Sequence, residues 1–278
     1  MVSTLAELRA DPALVALRRS LDIYYGDPER DAAMDRLYAR FLKPGDLAFD
    51  IGSHVGDRIA SFRRLGARVV ALEPQPDCAR VIRALYGNDP HIILVEAACG
   101  PEPGRMTLHV NSANPTVTTA SHEFVRAAEG QAGWEGQVWD RAIEVPVTTL
   151  DALITEHGMP AFVKIDVEGF EYAVLEGLTQ ALPALSFELT TIQRDVAERC
   201  LERLAGLGCK PMGPGRPIGE TGVDATEGKG YLFNIALGET QRLTLEGWVT
   251  GAEMAAHIRA LPHEANSGDV YAIATVPG

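Results

Sequence analysis

Positive charge is in short supply in this sequence. Its 278 residues hold 25 Lys and Arg against 38 Asp and Glu, a formal net charge of −13. A nucleic-acid backbone or an anionic membrane surface would be repelled by such a chain, so neither is expected as its main partner. Cysteine is scarce as well. Cys78, Cys99, Cys200 and Cys209 make no Cys-x-x-Cys pair, and no His stands at a finger-like spacing from them. That argues against a zinc site and, in a chain of this length, against a disulfide framework. The four are expected to be reduced thiols in or near the core. Long apolar runs are missing too: nothing approaches the roughly 18 residues that a membrane-spanning helix needs. Glu7, Arg9 and Asp11 break up the first apolar stretch, so no secretory signal is read there. The expectation is a soluble, cytoplasmic protein.

The remaining composition, 46% hydrophobic and 23% charged, suits a globular domain with a sizeable core. Leu5, Leu8, Leu14, Leu17 and Leu21, then Met34, Leu37, Phe41 and Leu42, recur at helical intervals. Residues 1–46 are therefore expected to form a helical extension, ended by Lys43-Pro44-Gly45-Asp46. Short apolar runs then alternate with amphipathic segments. The runs at 47–51, 68–72, 92–98, 162–165 and 185–189 read as strands. Ile59, Phe62 and Leu65, then Val81, Ile82 and Leu85, mark helices between them. This order predicts βαβ units, hence an α/β domain with a mostly parallel central sheet and helices on both faces. Residues 47–240 are assigned to it, with a closing strand at 231–237. Residues 241–278 are expected to be a helix near 253–260 and a tail packed on the same domain. The segment 111–141 is long and weakly periodic, so it is expected to be a functional or disordered loop. The Gly- and Pro-rich stretch 211–230 is also expected to be a loop.

The first motif is Asp50-Ile51-Gly52-Ser53-His54-Val55-Gly56, where the first strand gives way to a helix. Gly52 and Gly56 let the backbone approach a ligand closely, and the helix N-terminus would face the same space. A dinucleotide fingerprint reads Gly-x-Gly-x-x-Gly around a pyrophosphate. Here the spacing is Gly-x-x-x-Gly, which favours a cofactor without pyrophosphate, such as S-adenosylmethionine. Glu73 ends the second strand about twenty residues later, where a carboxylate can accept from both ribose hydroxyls; a solvated strand-end Glu is the alternative. Glu96, Ala97 and Ala98 should lie beside the adenine, the small residues leaving room for the ring.

At Lys164-Ile165-Asp166-Val167-Glu168-Gly169-Phe170-Glu171 the pattern becomes specific. It resembles the FkbM-type methyltransferase family, whose hallmark is a Lys-Ile-Asp-Val-Glu-Gly-x-Glu run. Asp50 to Gly56, Glu73-Pro74, Val147-Thr148-Thr149-Leu150-Asp151 and Phe187-Glu188 agree in the right order. The resemblance covers about residues 45 to 190. It implies a Rossmann-like class I methyltransferase fold and methyl transfer from S-adenosylmethionine to oxygen, commonly a hydroxyl of a sugar or natural product, leaving S-adenosylhomocysteine. The family's turn usually reads Gly-Ala-Asn-x-Gly, so His54 is a departure.

A sulfonium donor is already activated. The enzyme must align the acceptor oxygen, exclude water and help remove a proton. Asp166, at the end of a central strand, is the leading candidate to orient the acceptor or take its proton, or to contact the cofactor; Glu168 shares its turn. The alternative is that Asp166 caps the next helix. Glu188, inside an apolar run, needs a partner or a place at the cleft; pairing with an Arg is the alternative. His122, in the long segment, is a candidate to reach the substrate. Asp166, Glu168 and Glu188 offer oxygen ligands but no dedicated metal spacing, and no metal is expected. A small-molecule or glycan acceptor is the expected partner. A nucleotide-binding oxidoreductase and a catalytically silent binding protein of the same fold are the competing readings.

Overall fold

The structure, a computed structural model, describes residues 4–207 and 230–275. Three short helices lead in: α1 (Leu5–Ala10), α2 (Arg18–Tyr24) and α3 (Pro28–Tyr38). Their starts follow from local chemistry. Thr4 and Glu7 form a reciprocal capping box at α1, and Asp27 caps α3 with Pro28 in the first turn. The break between α2 and α3 falls at Tyr25-Gly26-Asp27, as its turn residues predict.

The alternation then begins: β1 (Leu47–Ile51), α4 (Asp57–Arg64), β2 (Arg68–Leu72), α5 (Pro76–Tyr86), β3 (Ile92–Val95) and β4 (Ala98–Cys99). β5 (Gly104–Val110) and β6 (Arg141–Thr148) flank α6 (His122–Ala128). There follow α7 (Leu150–His157), β7 (Phe162–Ile165), α8 (Glu171–Glu176), β8 (Ala184–Thr190), α9 (Arg194–Gly206), β9 (Tyr231–Leu237), α10 (Gly251–Ala260) and β10 (Ser267–Ala274).

Seven strands form the main sheet in the order β3-β2-β1-β7-β8-β10-β9. The first five run parallel, and β10 enters antiparallel between β8 and β9. β1 is buried along its whole length, as a central parallel strand covered on both faces should be. Its alternate side chains serve two cores. Leu47, Phe49 and Ile51 pack with Leu150, Val174, Leu178 and Val196 on one face. Ala48 packs with Met34, Phe62 and Ile82 on the other. The expected Rossmann-like α/β arrangement is thus observed, with its switch point between β1 and β7.

Two expectations are corrected. The tail after 241 is not only a helix and a coil: β10 hydrogen-bonds to β8 and β9 within the main sheet, so a boundary at 240 would cut the sheet. Its alternation, with Val270 in one core and Tyr271 in the other, is a buried strand's. The segment 111–141 holds α6 and a small core of Val117, Phe124, Ala128 and Trp134, around which too few apolar residues fall at regular spacing to announce a helix. The expected loop at 211–230 lies outside the described residues except for Gly230, as does Cys209. Cys78, Cys99 and Cys200 are buried free thiols. Among the described residues no helix is long and apolar enough to cross a membrane.

Candidate functional site

Two clefts open at the C-terminal ends of the parallel strands, beside the switch point where open α/β sheets bind ligands. They share Gly52, His54, Thr116, Asp166 and Glu168.

The first cleft is walled by Ile51, Leu72, Ala97, Met106, Leu108 and Phe170, with Glu73 at its polar end. The Glu73 side chain is nearly buried, 2% exposed. Its Oε2 accepts from the His54 N–H at 2.7 Å and its Oε1 from the Gln75 N–H at 2.8 Å. Each oxygen keeps a free lone pair, the pattern a vicinal diol can use. Burial pushes this carboxyl up to about 8. The glycine turn explains the close approach. Gly52 adopts φ +85, and a Cβ there would stand 1.8 Å from the Asp166 carbonyl oxygen. His54 is also left-handed, at φ 49, a conformation that His and Asn adopt more readily than most residues. That is a physical reason for either to stand at this position. Burial lowers His54 to about 4, which keeps its ring neutral.

The turn spends its own N–H groups. Gly52 and Ser53 donate to the Leu72 carbonyl, His54 to Glu73 and Gly56 to the Ser53 carbonyl. A pyrophosphate would find few donors here, whereas an apolar slot with a carboxylate at one end has the chemistry that S-adenosylmethionine would need. The N-terminal helices brace the turn: the Tyr25 and Tyr86 hydroxyls, 2.8 Å apart, reach the carbonyls of Val55 and Gly56.

The second cleft is lined by Tyr24, Asp50, Ser53, Arg58, Trp134 and Glu188 among others. Where the two clefts meet, carboxylate oxygens of Asp166, Glu168 and Glu188 lie within 4.8 Å of one another, close enough to hold a cation. Sequence spacing alone did not show this convergence, because β7 and β8 supply the residues from adjacent strands. Asp166 does not cap α8. No side chain caps α8; Glu171, its first residue, holds the preceding turn, its Oε1 accepting from the N–H groups of Val167 and Gly169. The Asp166 carboxylate instead accepts from Lys164 Nζ at 2.9 Å, and the same ammonium donates to Asp269 at 2.8 Å. Lys164 is fully buried; burial alone would lower it, but the two aspartates hold it well above the ordinary lysine range. Glu168 sits at φ 55 in a left-handed turn, which aims a nearly buried carboxyl at the junction. Among the described residues Glu188 has no Arg partner, and its Oε2 is buried without a hydrogen bond. Burial first, then Glu168, Asp166 and Glu171, push Glu188 well above the usual carboxylate range. Burial, Asp166 and Glu171 do the same to Glu168.

Segment 111–141 roofs both clefts. Thr118 donates to Gln75 Oε1 at 2.9 Å, Gln75 donates to the Pro115 carbonyl, and Thr119 donates to the Glu168 carbonyl at 2.6 Å.

Three expected site residues fall elsewhere. Glu96 is exposed and ion-paired with Arg83, since the chain turns at the end of β3 and aims it outward. His122 lies exposed at the start of α6, its ring 4.0 Å from that of His109, and lines neither cleft. Gly56 caps α4 at φ 86, its α-carbon against Tyr86, and serves the turn rather than the cavity. Asp50, Gly52, Ser53, His54, Glu73, Ala97, Asp166, Glu168 and Glu188 all line one cleft or both. Asp269, Trp134 and Tyr24 were missed. A Lys inside a core strand does signal a buried acidic partner, but nothing in the spacing points 105 residues onward to Asp269.

Comparison with known proteins agrees with this geometry. The chain is 30% identical over 181 residues to the 31-O-demethyl-FK506 methyltransferase FkbM of Streptomyces tacrolimicus, covering 55% of this chain and 68% of that protein. It is 26% identical over 173 residues to the hexuronic acid methyltransferase AglP of Haloferax volcanii, covering 61% of this chain and 65% of that protein, just under two thirds of its length. The methyltransferase FkbM domain matches residues 50–201, more than half of the sequence. The chain belongs to the FkbM methyltransferase family and is an S-adenosylmethionine-dependent methyltransferase.

Proposed function

We propose that this methyltransferase transfers its methyl group to a hydroxyl oxygen of a small molecule, sugar or natural product, with Glu188 receiving the proton and Asp166 orienting the acceptor. The observation that carries this reading is the convergence of Asp166, Glu168 and Glu188 where the two clefts join. When bound, S-adenosylmethionine supplies an activated methyl on a sulfonium. Glu73 would hold the ribose, and the small residues Ala97 and Ala98 would leave space for the adenine in the apolar cleft.

An aliphatic hydroxyl is a poor nucleophile while protonated, so a nearby carboxylate helps as its oxygen bonds to the methyl carbon. Asp166 is neutralised by Lys164 and suits a positioning contact. Glu188 has an unpartnered oxygen and, among the described residues, no ion pair, which makes it the stronger base of the two once ionised. The proton leaves the acceptor for Glu188 Oε2. Asp269 acts through Lys164 as a positioning residue, and the roof over residues 111–141 excludes water. The names of the two relatives, one for 31-O-demethyl-FK506 and one for a hexuronic acid, support an oxygen-bearing acceptor.

Radiolabelled donor incubated with hydroxylated candidate acceptors tests the reading. Label recovered as an alkali-stable ether supports it. Label found on nitrogen or carbon overturns it.

A further inference from the structure

The second cleft carries a charge pattern that methyl transfer does not require. Six acidic side chains and two basic ones line it. Both cations are committed. Arg58 Nη1 donates to Asp57 at 2.7 Å and Nη2 reaches Glu239 at 3.4 Å; Lys164 is divided between Asp166 and Asp269. Among the described residues lining this cleft, neither cation is without a carboxylate. The negative side is in excess: Glu188 Oε2 has no partner, and its carboxylate shares the junction with those of Asp166 and Glu168. Burial first, and then the neighbouring carboxylates, raise the carboxyls of Glu168 and Glu188.

A second, independent feature sits on the roof. Trp134 lines this cleft, is 8% exposed, and its indole N–H is buried without a hydrogen-bond partner. Its ring is held edge-on by Phe124, with centroids 5.1 Å apart. Tyr24 supplies another aromatic wall. The cleft therefore offers a Glu188 oxygen that lacks a donor, an N–H that lacks an acceptor, and two aromatic surfaces.

We propose that the acceptor is a polyhydroxylated ring that is uncharged or bears an ammonium, and that acceptors carrying a carboxylate or phosphate are excluded. This rests on the small-molecule O-methylation reading above. Hydroxyls donate to Glu188 and Glu168 and accept from Trp134, and the C–H face of a ring packs on the aromatic walls. A carboxylate on the acceptor would add negative charge within a few ångströms of the trio and find no uncommitted cation, a repulsion that low dielectric magnifies. An ammonium would relieve it. On this basis the chain differs in acceptor charge from the relative named for a hexuronic acid.

The test separates a polar metabolite extract of the native host into cationic, neutral and anionic fractions before reaction, since methylating a carboxylate would change its fraction. Each fraction is incubated with the full chain and radiolabelled S-adenosylmethionine, with and without EDTA. The expected result is alkali-stable label in the neutral or cationic fraction, at least about tenfold above the anionic one, and unaffected by EDTA. Alkali-stable label mainly in the anionic fraction overturns the charge inference and leaves O-methylation standing. Alkali-labile label, or no label in any fraction while S-adenosylhomocysteine still binds by calorimetry, overturns both. Transfer abolished by EDTA and restored by Mg2+ overturns the charge inference, because a metal ion would then neutralise the trio.

Discussion

Glu73 follows the end of β2 and Glu188 lies within β8, on opposite sides of the sheet's switch point, and the chain treats the two glutamates in opposite ways. Glu73 is held at both oxygens by backbone N–H groups. Glu188 keeps one oxygen buried and unbonded, among other carboxylates. An oxygen without a donor costs free energy in the ligand-free protein, so the fold tolerates on the acceptor side what it avoids on the donor side. On the proposed reading the difference separates two tasks. A binding group works best fixed and satisfied, whereas a proton acceptor works best when ionisation leaves it under-stabilised.

The comparison breaks most sharply at Asp166. Asp166→Asn keeps the shape but ends the ion pair with Lys164, and with the acceptor no longer oriented kcat should fall roughly 100-fold or more while donor affinity changes little. Near-native turnover would show that the carboxylate is not needed at the junction. Next comes Asp269→Asn, which leaves Lys164 with one aspartate and Asp166 less firmly aimed. Losing one partner of a buried charge should destabilise the fold by about 1–3 kcal/mol. Turnover should fall more than acceptor KM rises, and Asp269→Glu should restore part of it; a variant with lowered melting temperature and unchanged kcat would reduce Asp269 to a structural role.

A smaller effect is expected in the pH dependence of stability. Asp50 and Glu73 are raised by burial to about 7 and about 8, against unfolded values of about 4. Between those limits the folded state binds more protons than the unfolded one. Their stabilising contribution is full below about pH 4 and is lost by about pH 8, so ligand-free stability should decline across that window. Glu73→Gln should flatten the decline measured by denaturant titration at several pH values; an unchanged slope would contradict the burial argument. The smallest expected change is at the roof. Hydrogen exchange across 111–141 should slow when donor product and acceptor are both present, and exchange that slows only at the glycine turn would remove the roof from the catalytic cycle.

The donor half was legible because its signals are local. The Gly52 turn, Glu73 and the run from Lys164 to Glu171 lie within single βα units, where sequence neighbours are spatial neighbours. Glu96 misled because the apolar run 92–98 reads as one strand, whereas β3 ends at Val95 and the chain turns at Glu96. His122 looked promising only by lying in the long segment, and α6 carries it outward against His109. The acceptor half was largely illegible. Trp134 from the roof, Asp269 from β10 and Tyr24 from α2 meet only through tertiary packing, and β10 enters the sheet out of chain order. Residues joined that way leave no spacing to read.

The central claim is that donor binding and proton removal rest on different glutamates, and one conservative substitution at each tests it. Glu73→Gln and Glu188→Gln are compared by calorimetry with S-adenosylmethionine and by turnover with a working acceptor. Charge-assisted hydrogen bonds contribute roughly 1.5–3 kcal/mol each, so Glu73→Gln should weaken donor affinity about tenfold or more and lower saturated turnover little. Glu188→Gln should bind the donor almost as the native chain does and lose turnover by about 100-fold or more. Two variants that lose affinity and turnover in the same proportion would contradict the division.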